Sequence, residues 1–462
     1  MKGNLGSSCA QVTLWPRSPR RDLIARMKFG FSRGRPKPRL AVARAAVNFL
    51  ILASLSFVAG ALAAPWALPA TRDFFYQPPV LAWVHTFTLG WISSAIIGAI
   101  LIYVPAFSRP PRFPRLVGLQ FILYLIGASG VVSHFLLGSW DGVWMAGVVV
   151  VVSILLFALN LIPALAWRAR LGAMELALLA ALSFFAFAGS VGVLLALDKS
   201  LNFLGGDVLR NVSAHAHLAA LGWIGVALCA MSYRLVPRLL GLPLKPRTAF
   251  AQVGALGVAT VGLALALAGA VPGLTLWTMG AALALAVYLV AMGRFVRASR
   301  LPVTWPLCHL VASLASLALV LMLGLMLSLS GAQSELGNRL ASAYGIAALL
   351  GWIGNLIIAA SYHMLPAAVA RVRRLRGWPV RRLSQVRALQ SALFWGFNLA
   401  LSGMLTGVLA QAGWIAQAAA LLLATSGLGC GTVAVWILSF AYRRGRISLD
   451  QIPRRRSDYA PP

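Results

Sequence analysis

The chain has 462 residues, 60% of them hydrophobic and only 11% charged. That balance excludes an ordinary soluble enzyme and fits a chain that lies mostly in lipid. A net charge of +31 would suggest a nucleic-acid partner if it formed one patch, but its distribution along the chain excludes that reading.

Residues 1–39 are rich in Arg and Pro and read as a basic, disordered cytoplasmic tail. They lack the compact pattern of a cleaved signal peptide, and Met27, opening "MKFGFSRGRPKPR", is an equally good start. From 40 to 442, apolar runs alternate with charged breaks. About 20 apolar residues cross a bilayer as a helix. Twelve spans are expected, at 40–64, 79–105, 115–138, 142–166, 172–197, 212–237, 249–271, 273–296, 305–330, 340–366, 387–411 and 414–441. Only "GSWDG" separates the third from the fourth. The runs are too long and too apolar for barrel strands, so the expected fold class is all-α and polytopic. Residues 443–462 form a second basic tail.

The basic residues fall in alternate connections. "SRPPRFPR", "WRARL", "YRLVPRLLGLPLKPR", "GRFVRASR", "ARVRRLRGWPVRR" and "YRRGRISLDQIPRRR" share one side. The other side holds "SWDG", "DKSLNFLGGD", "GAVPG", "QSELGN" and "QAGW". This is the positive-inside pattern. It predicts a multi-pass protein of a bacterial inner membrane, with both termini cytoplasmic, lipid as its main partner and no nucleic acid. Cys9, Cys229, Cys308 and Cys430 show no paired spacing that would suggest a disulfide framework or a cysteine-based zinc site.

One motif recurs. "VHTFTLGWISSAIIGAILIYVPA" (84–106), "AHLAALGWIGVALCAMSYRLVPR" (216–238) and "GIAALLGWIGNLIIAASYHMLPA" (345–367) each contain Leu-Gly-Trp-Ile, then Tyr and Pro. They occupy the second, sixth and tenth spans, so each repeat is four helices. An even number of spans keeps all copies in one orientation, unlike inverted repeats. The expected architecture is three parallel four-helix repeats around a pseudo-threefold axis. Gly90, Gly98, Gly222, Gly225, Gly351 and Gly354 would permit close helix approach.

The topology puts His85, His215, His217 and His134 at one level in the outer part of the membrane, with His309 and His363 near the cytoplasm. Imidazole in a membrane needs a partner. A lone histidine finds one in a nearby carbonyl, but four at one level suggest cofactor ligands, of haem or of copper. Positions i and i+2 point about 200° apart on a helix. His215 and His217 should therefore face different interfaces and serve separate centres. Tyr344, at the same level on the tenth span, could hydrogen-bond to a cofactor or sit at the interface. Asp141, Asp198 and Asp207 read as loop residues, Glu175 as a carboxylate near a helix end, and Tyr233 and Tyr362 as interfacial anchors. No pumping channel is evident.

With these residues in view, the chain resembles subunit I of the haem–copper oxidases and nitric oxide reductases: twelve spans in three arcs, with histidines high on the second and sixth. The resemblance implies that His85 ligates a low-spin haem and that His215 or His217 fills a sixth-helix copper-ligand position. It departs where Tyr344 and Ile346 replace the family's His-x-His on the tenth helix, and where 249–271 holds no histidine to complete a copper site. "WVHTFTLGW" (83–91) and "HAHLAALGW" (215–223) also resemble motifs of the NnrS family, whose members are linked to nitric oxide response and thought to bind haem and copper.

Two functions remain open. The first is a haem-binding, and in part copper-binding, membrane protein of respiratory redox chemistry or nitric oxide handling. It would carry b-type haem, act on a small gas or a quinol, and work with a cytochrome subunit. His85 would face one of the sixth-span histidines across a haem. The other sixth-span histidine, with His134, would hold copper or a second haem. The second function is a cofactor-free transporter, sensor or assembly subunit. Imidazole nitrogens from the second and sixth spans about 4 Å apart across a flat cavity would favour the first. Rings bonded to local carbonyls would favour the second.

Overall fold

The structure is a computed structural model that describes residues 36–71, 74–166, 171–243, 246–300, 302–330, 334–380 and 387–443. Most of both expected basic tails lies outside these residues. Among the described residues there is no strand, and twelve helices are long and apolar enough to cross a membrane. They are α1 (Arg39–Ala70), α2 (Pro78–Pro105), α3 (Leu116–Leu136), α4 (Trp140–Leu165), α5 (Ala173–Leu201), α6 (Val208–Leu240), α7 (Thr248–Leu267), α8 (Leu274–Ala298), α9 (Trp305–Ser330), α10 (Glu335–Leu375), α11 (Ala388–Leu409) and α12 (Gly413–Ser439).

Each expected span coincides with one helix. The "GSWDG" break holds because Gly138 takes φ +66° and Ser139 caps α4, its hydroxyl accepting from the Gly142 amide. The largest departures are at α1 and α10, which both run past the expected ends. In α10 the buried Arg373 donates to the carbonyls of Pro379, Phe440 and Arg443. Its charge is thereby satisfied inside the protein, and the helix continues through the basic segment.

The three motif helices are the inner ones. The most apolar windows of α2, α6 and α10 are 83, 78 and 72% buried, and no other span exceeds 56%. Around them α1 packs on α12, α3 on α4, α7 on α8 and α11 on α12. Small residues permit these crossings. A Cβ at Gly427 of α12 would lie 2.3 Å from Ala61 Cβ of α1, so the first and last helices meet almost backbone to backbone and close the ring.

Each motif helix contains one eight-residue π-helical stretch: Thr86–Ser93, Leu218–Gly225 and Ala347–Gly354. π-Helical turns are rare and concentrate at functional sites. Here they recur in register with the motif and carry its tryptophan. The three tryptophans then form a cycle. A Cβ at Gly354 would lie 3.1 Å from Trp91 Cη2, and one at Gly225 would lie 3.6 Å from Trp352 Cη2. Trp223 Nε1 donates to Ser93 Oγ at 2.9 Å. Ser93, Gly225 and Gly354 are the same motif position, so each repeat's tryptophan meets the next repeat's small residue. This is the pseudo-threefold axis in atomic terms.

Candidate functional site

His85 and His217 stand immediately before these π-helical stretches, and His215 stands three residues before the second. His85 is the last α-helical residue of the first copy and His217 that of the second. Motif register makes them equivalent to one another and to Ile346. It likewise makes Trp83, His215 and Tyr344 equivalent. As expected, His215 and His217 face different neighbours.

His85 and His215 line one cavity enclosed by α2 to α6, with about 970 Å³ of empty space counting its open mouth. Its walls are apolar, from Val131, Phe135, Val150 and Phe185, with Gly189 and Gly192 flattening the α5 side. His85 Nδ1 is 2.7 Å from the Leu81 carbonyl. His215 Nδ1 is 3.0 Å from the Ala188 carbonyl of α5. A carbonyl only accepts, so each Nδ1 carries the proton and each Nε2 keeps its lone pair. Neither Nε2 has a protein partner among the described residues. A ring oriented by an Nδ1–H···O=C bond, with Nε2 open, is the arrangement that metal-ligating histidines use.

His85 thus bonds a carbonyl of its own helix, the arrangement named above for the second function, whereas His215 bonds across to α5. Nδ1 binds a carbonyl, and Nε2 is left for the cavity. Close approach fixes the ring further: a Cβ at Gly192 would lie 2.9 Å from His215 Cε1. Lys199 Nζ lies 5.1 Å from the Tyr76 ring and 5.7 Å from the Trp140 ring, two residues of the cavity wall. Burial raises the pKa of the Tyr76 phenol and the negative charge of Asp198 raises it further, so it stays protonated at neutral pH.

His217 pairs elsewhere. Its Nδ1 donates to the Ser213 carbonyl at 2.8 Å, and its Nε2 lies 3.5 Å from the Tyr344 hydroxyl of α10. The rings are near parallel, 24° apart with centroids at 6.1 Å. By motif register this is the His85–His215 relation moved on by one repeat, with a phenol in place of the second imidazole. The third such interface would join Ile346 to Trp83, which offers no basic nitrogen. Trp83 Nε1 instead donates to the Gly60 carbonyl at 2.8 Å.

His134 does not line the cavity. Its ring fills the space over Gly142 at the start of α4, where a Cβ would lie 2.0 Å from Nδ1. His309 is buried in α9, with Nδ1 2.7 Å from Asn355 Oδ1. Among the described residues, no three His, Cys, Asp or Glu side chains are grouped so as to hold a metal ion. A three-ligand copper centre does not fit this donor set.

Several minor readings are resolved. Asp207 caps α6 by accepting from the Leu209 amide at 2.8 Å, and Asp141 accepts from Ser200 Oγ at 2.7 Å. Asp207 is thus a cap, and Asp141 stands in the first turn of α4 rather than in the loop. Tyr233 is not an interfacial anchor: it is buried, with its ring against Tyr288 at 5.9 Å. It lies on an inner helix, so its position near the span's end does not expose it. The sequence reading missed Gly192, Tyr76 and Lys199, and it missed the π-helical turns. The threefold recurrence of Leu-Gly-Trp-Ile was the available signal for the last.

Sequence comparison matches residues 33–296 to the family "Cytochrome C and Quinol oxidase polypeptide I". The match covers more than half of the 462 residues. The chain belongs to this family. The matched region runs from α1 to α8 and contains the first two motif copies with His85, His215 and His217. No curated protein matches the chain. Within the cytochrome c and quinol oxidase subunit I family, this chain combines the twelve-helix scaffold with an imidazole pair across α2 and α6.

Proposed function

We propose that the chain is a haem-binding membrane subunit of respiratory redox chemistry or nitric oxide handling, holding a b-type haem in the cavity between α2 and α6. The observation that carries this is the pair of Nδ1-anchored histidines, His85 and His215, lining one apolar, glycine-flattened cavity. His85 and His215 would hold the group through their Nε2 atoms, among the apolar side chains of the wall, with Lys199 beside Tyr76 and Trp140 to meet an acidic substituent. Haem bound there would supply one-electron chemistry and an iron centre for a small gas.

The chain's own residues set the limits. Among the described residues, the cavity wall holds no carboxylate, and its titratable side chains are Tyr76, His85 and His215. Reduction of oxygen to water consumes protons, so this wall favours electron transfer or gas binding over proton-coupled oxygen reduction. The donor set supports haem and not a three-ligand copper centre. The positive-inside pattern supports a bacterial inner membrane location with the Arg-rich face cytoplasmic. A quinol or a cytochrome subunit would then supply electrons from outside this chain.

A reduced-minus-oxidised visible spectrum of the purified protein, with a pyridine haemochrome assay and copper analysis, tests this. Haem bands lost in both His85→Ala and His215→Ala, and retained in His134→Ala, are expected. A well-folded preparation from a haem-sufficient host that contains no haem overturns the reading and leaves a cofactor-free transporter, sensor or assembly subunit.

A further inference from the structure

At the Arg-rich face, the seam where α12 meets α1 carries a basic cluster built around one tyrosine. Tyr442, just beyond α12, donates to Asn48 Oδ1 of α1 at 2.5 Å. Arg44 stands one turn before Asn48 on α1 and is exposed. Arg376, just beyond α10, holds its guanidinium 4.4 Å from the Trp378 ring and 5.8 Å from the Tyr442 ring. Arg373 fixes this arrangement by tying the end of α10 to the carbonyls of Phe440 and Arg443. Burial lowers the pKa of Arg376, and the charge of Arg44 lowers it further. Burial raises the pKa of the Tyr442 phenol, against the pull of Arg44 and Arg376. Both guanidiniums therefore act on each other and on one ring. The segments that form the seam, 39–60, 363–380 and 430–443, contain no Asp or Glu. Crowded like charges repel, and an anion between them relieves the repulsion.

The repeat supplies an internal comparison. Gly60, Gly192 and Gly324 are each 132 residues apart and take equivalent places on α1, α5 and α9. The Gly60 carbonyl accepts from Trp83, and Cβ atoms at Gly192 and Gly324 would meet the rings of His215 and Tyr344. Those three ring residues are motif equivalents. Sixteen residues before the three glycines stand Arg44, Leu176 and Cys308. The other two seams therefore carry no charge at this position. The positive-inside pattern accounts for arginines in connections. Arg44 lies inside α1, at one seam of three, and orientation alone does not require it there.

We propose that this seam binds the headgroup of an anionic phospholipid, with Arg44 and Arg376 on its phosphate. Guanidinium groups match phosphate oxygens with paired N–H donors. Basic sites between helices at the membrane boundary recognise anionic headgroups. The helix below the cluster distinguishes a lipid from a free anion. Leu55 and Leu62 follow Arg44 by 11 and 18 residues, about three and five turns, so all three share one face of α1. The two leucines are 53% and 42% exposed. A headgroup held at Arg44 lays an acyl chain along them. The site does not depend on haem, and its test is independent of the haem spectrum.

The test is native mass spectrometry of the full chain in detergent, titrated with dioleoyl phosphatidylglycerol and, separately, with dioleoyl phosphatidylcholine. Retention of phosphatidylglycerol in preference to phosphatidylcholine, by roughly tenfold, is expected. The double variant Arg44→Gln/Arg376→Gln should lose most of that preference. Arg44→Gln alone changes an exposed position. It should fold as the parent does and reduce the preference severalfold, so loss of fold in the double variant cannot hide the answer. Arg294→Gln/Arg297→Gln removes two exposed arginines from the same face, on α8, and should leave the preference unchanged. Inorganic phosphate in excess should not displace the lipid. Three outcomes overturn the proposal. They are no preference for phosphatidylglycerol, a loss no greater in the Arg44/Arg376 variant than in the Arg294/Arg297 variant, or displacement of the lipid by inorganic phosphate.

Discussion

At the scale of single residues, hydrogen bonds decide which polar groups are free to act. His85, His215 and His217 all spend Nδ1 on a backbone carbonyl, but only the first two keep Nε2 free of a protein partner. Register alone does not distinguish them, because what matters is the residue one repeat away. His85 and His215 line one cavity, whereas His217 Nε2 lies 3.5 Å from the Tyr344 hydroxyl. The same accounting makes Ser93 consequential. Trp223 is 2% exposed and its indole N–H is satisfied by the Ser93 hydroxyl. Ser93→Ala leaves that donor buried and unpaired, which should cost about 1–3 kcal/mol. Thermal unfolding of the detergent-solubilised protein checks it: an unchanged transition would show that the Trp223 bond contributes nothing to stability.

At the scale of elements, helices in a membrane gain no hydrophobic advantage from meeting one another, so association depends on close packing and small residues. The contact of α12 with α1 is the clearest case. Gly427 meets Ala61, and a Cβ at Gly431 would lie 2.0 Å from Val58 Cγ2. Replacing Gly427 by Val must push the first and last helices apart, because the obstructing atom is an Ala Cβ that cannot swing away. Over-packing of this kind costs about 1–3 kcal/mol. Gly427→Val should lower the unfolding midpoint, whereas Gly118→Val, where nothing lies within 4 Å of the built Cβ, should not. Equal effects in the two variants would refute ring closure through this crossing. The π-helical turns belong to this scale too. Each widens the helix by one residue where it must aim a tryptophan at the neighbouring repeat, and a single copy would have no such neighbour.

At the scale of the whole molecule, charge and topology are one argument. The Arg-rich connections lie at alternate helix ends, and Asp141, Asp198 and Asp207 lie at the others. The positive-inside rule predicts that the Arg-rich face is cytoplasmic. In a cysteine-free background, Ser200→Cys should react with a membrane-impermeant maleimide in intact spheroplasts, and Val380→Cys should react only after lysis; both positions are exposed. The reverse pattern would invert the topology.

By itself the sequence determined the helix count, the span boundaries to within a few residues at most ends, the fourfold unit and the divergence of His215 from His217. These follow from quantities local to the chain: the length needed to cross hydrocarbon, the 3.6-residue period, and a motif spacing that can be counted. Tertiary structure decided which histidine meets which partner, where the cavity opens, and that His134 stands apart over Gly142. It also decided that Tyr233 is buried and that α10 continues past its apolar run through Arg373. Each of these depends on residues brought together from different repeats, and none leaves a periodic trace along one helix. The pairing of His85 with His215 is the instructive case. They are 130 residues apart in sequence, and only the closure of three repeats around one axis turns that separation into two sides of one cavity.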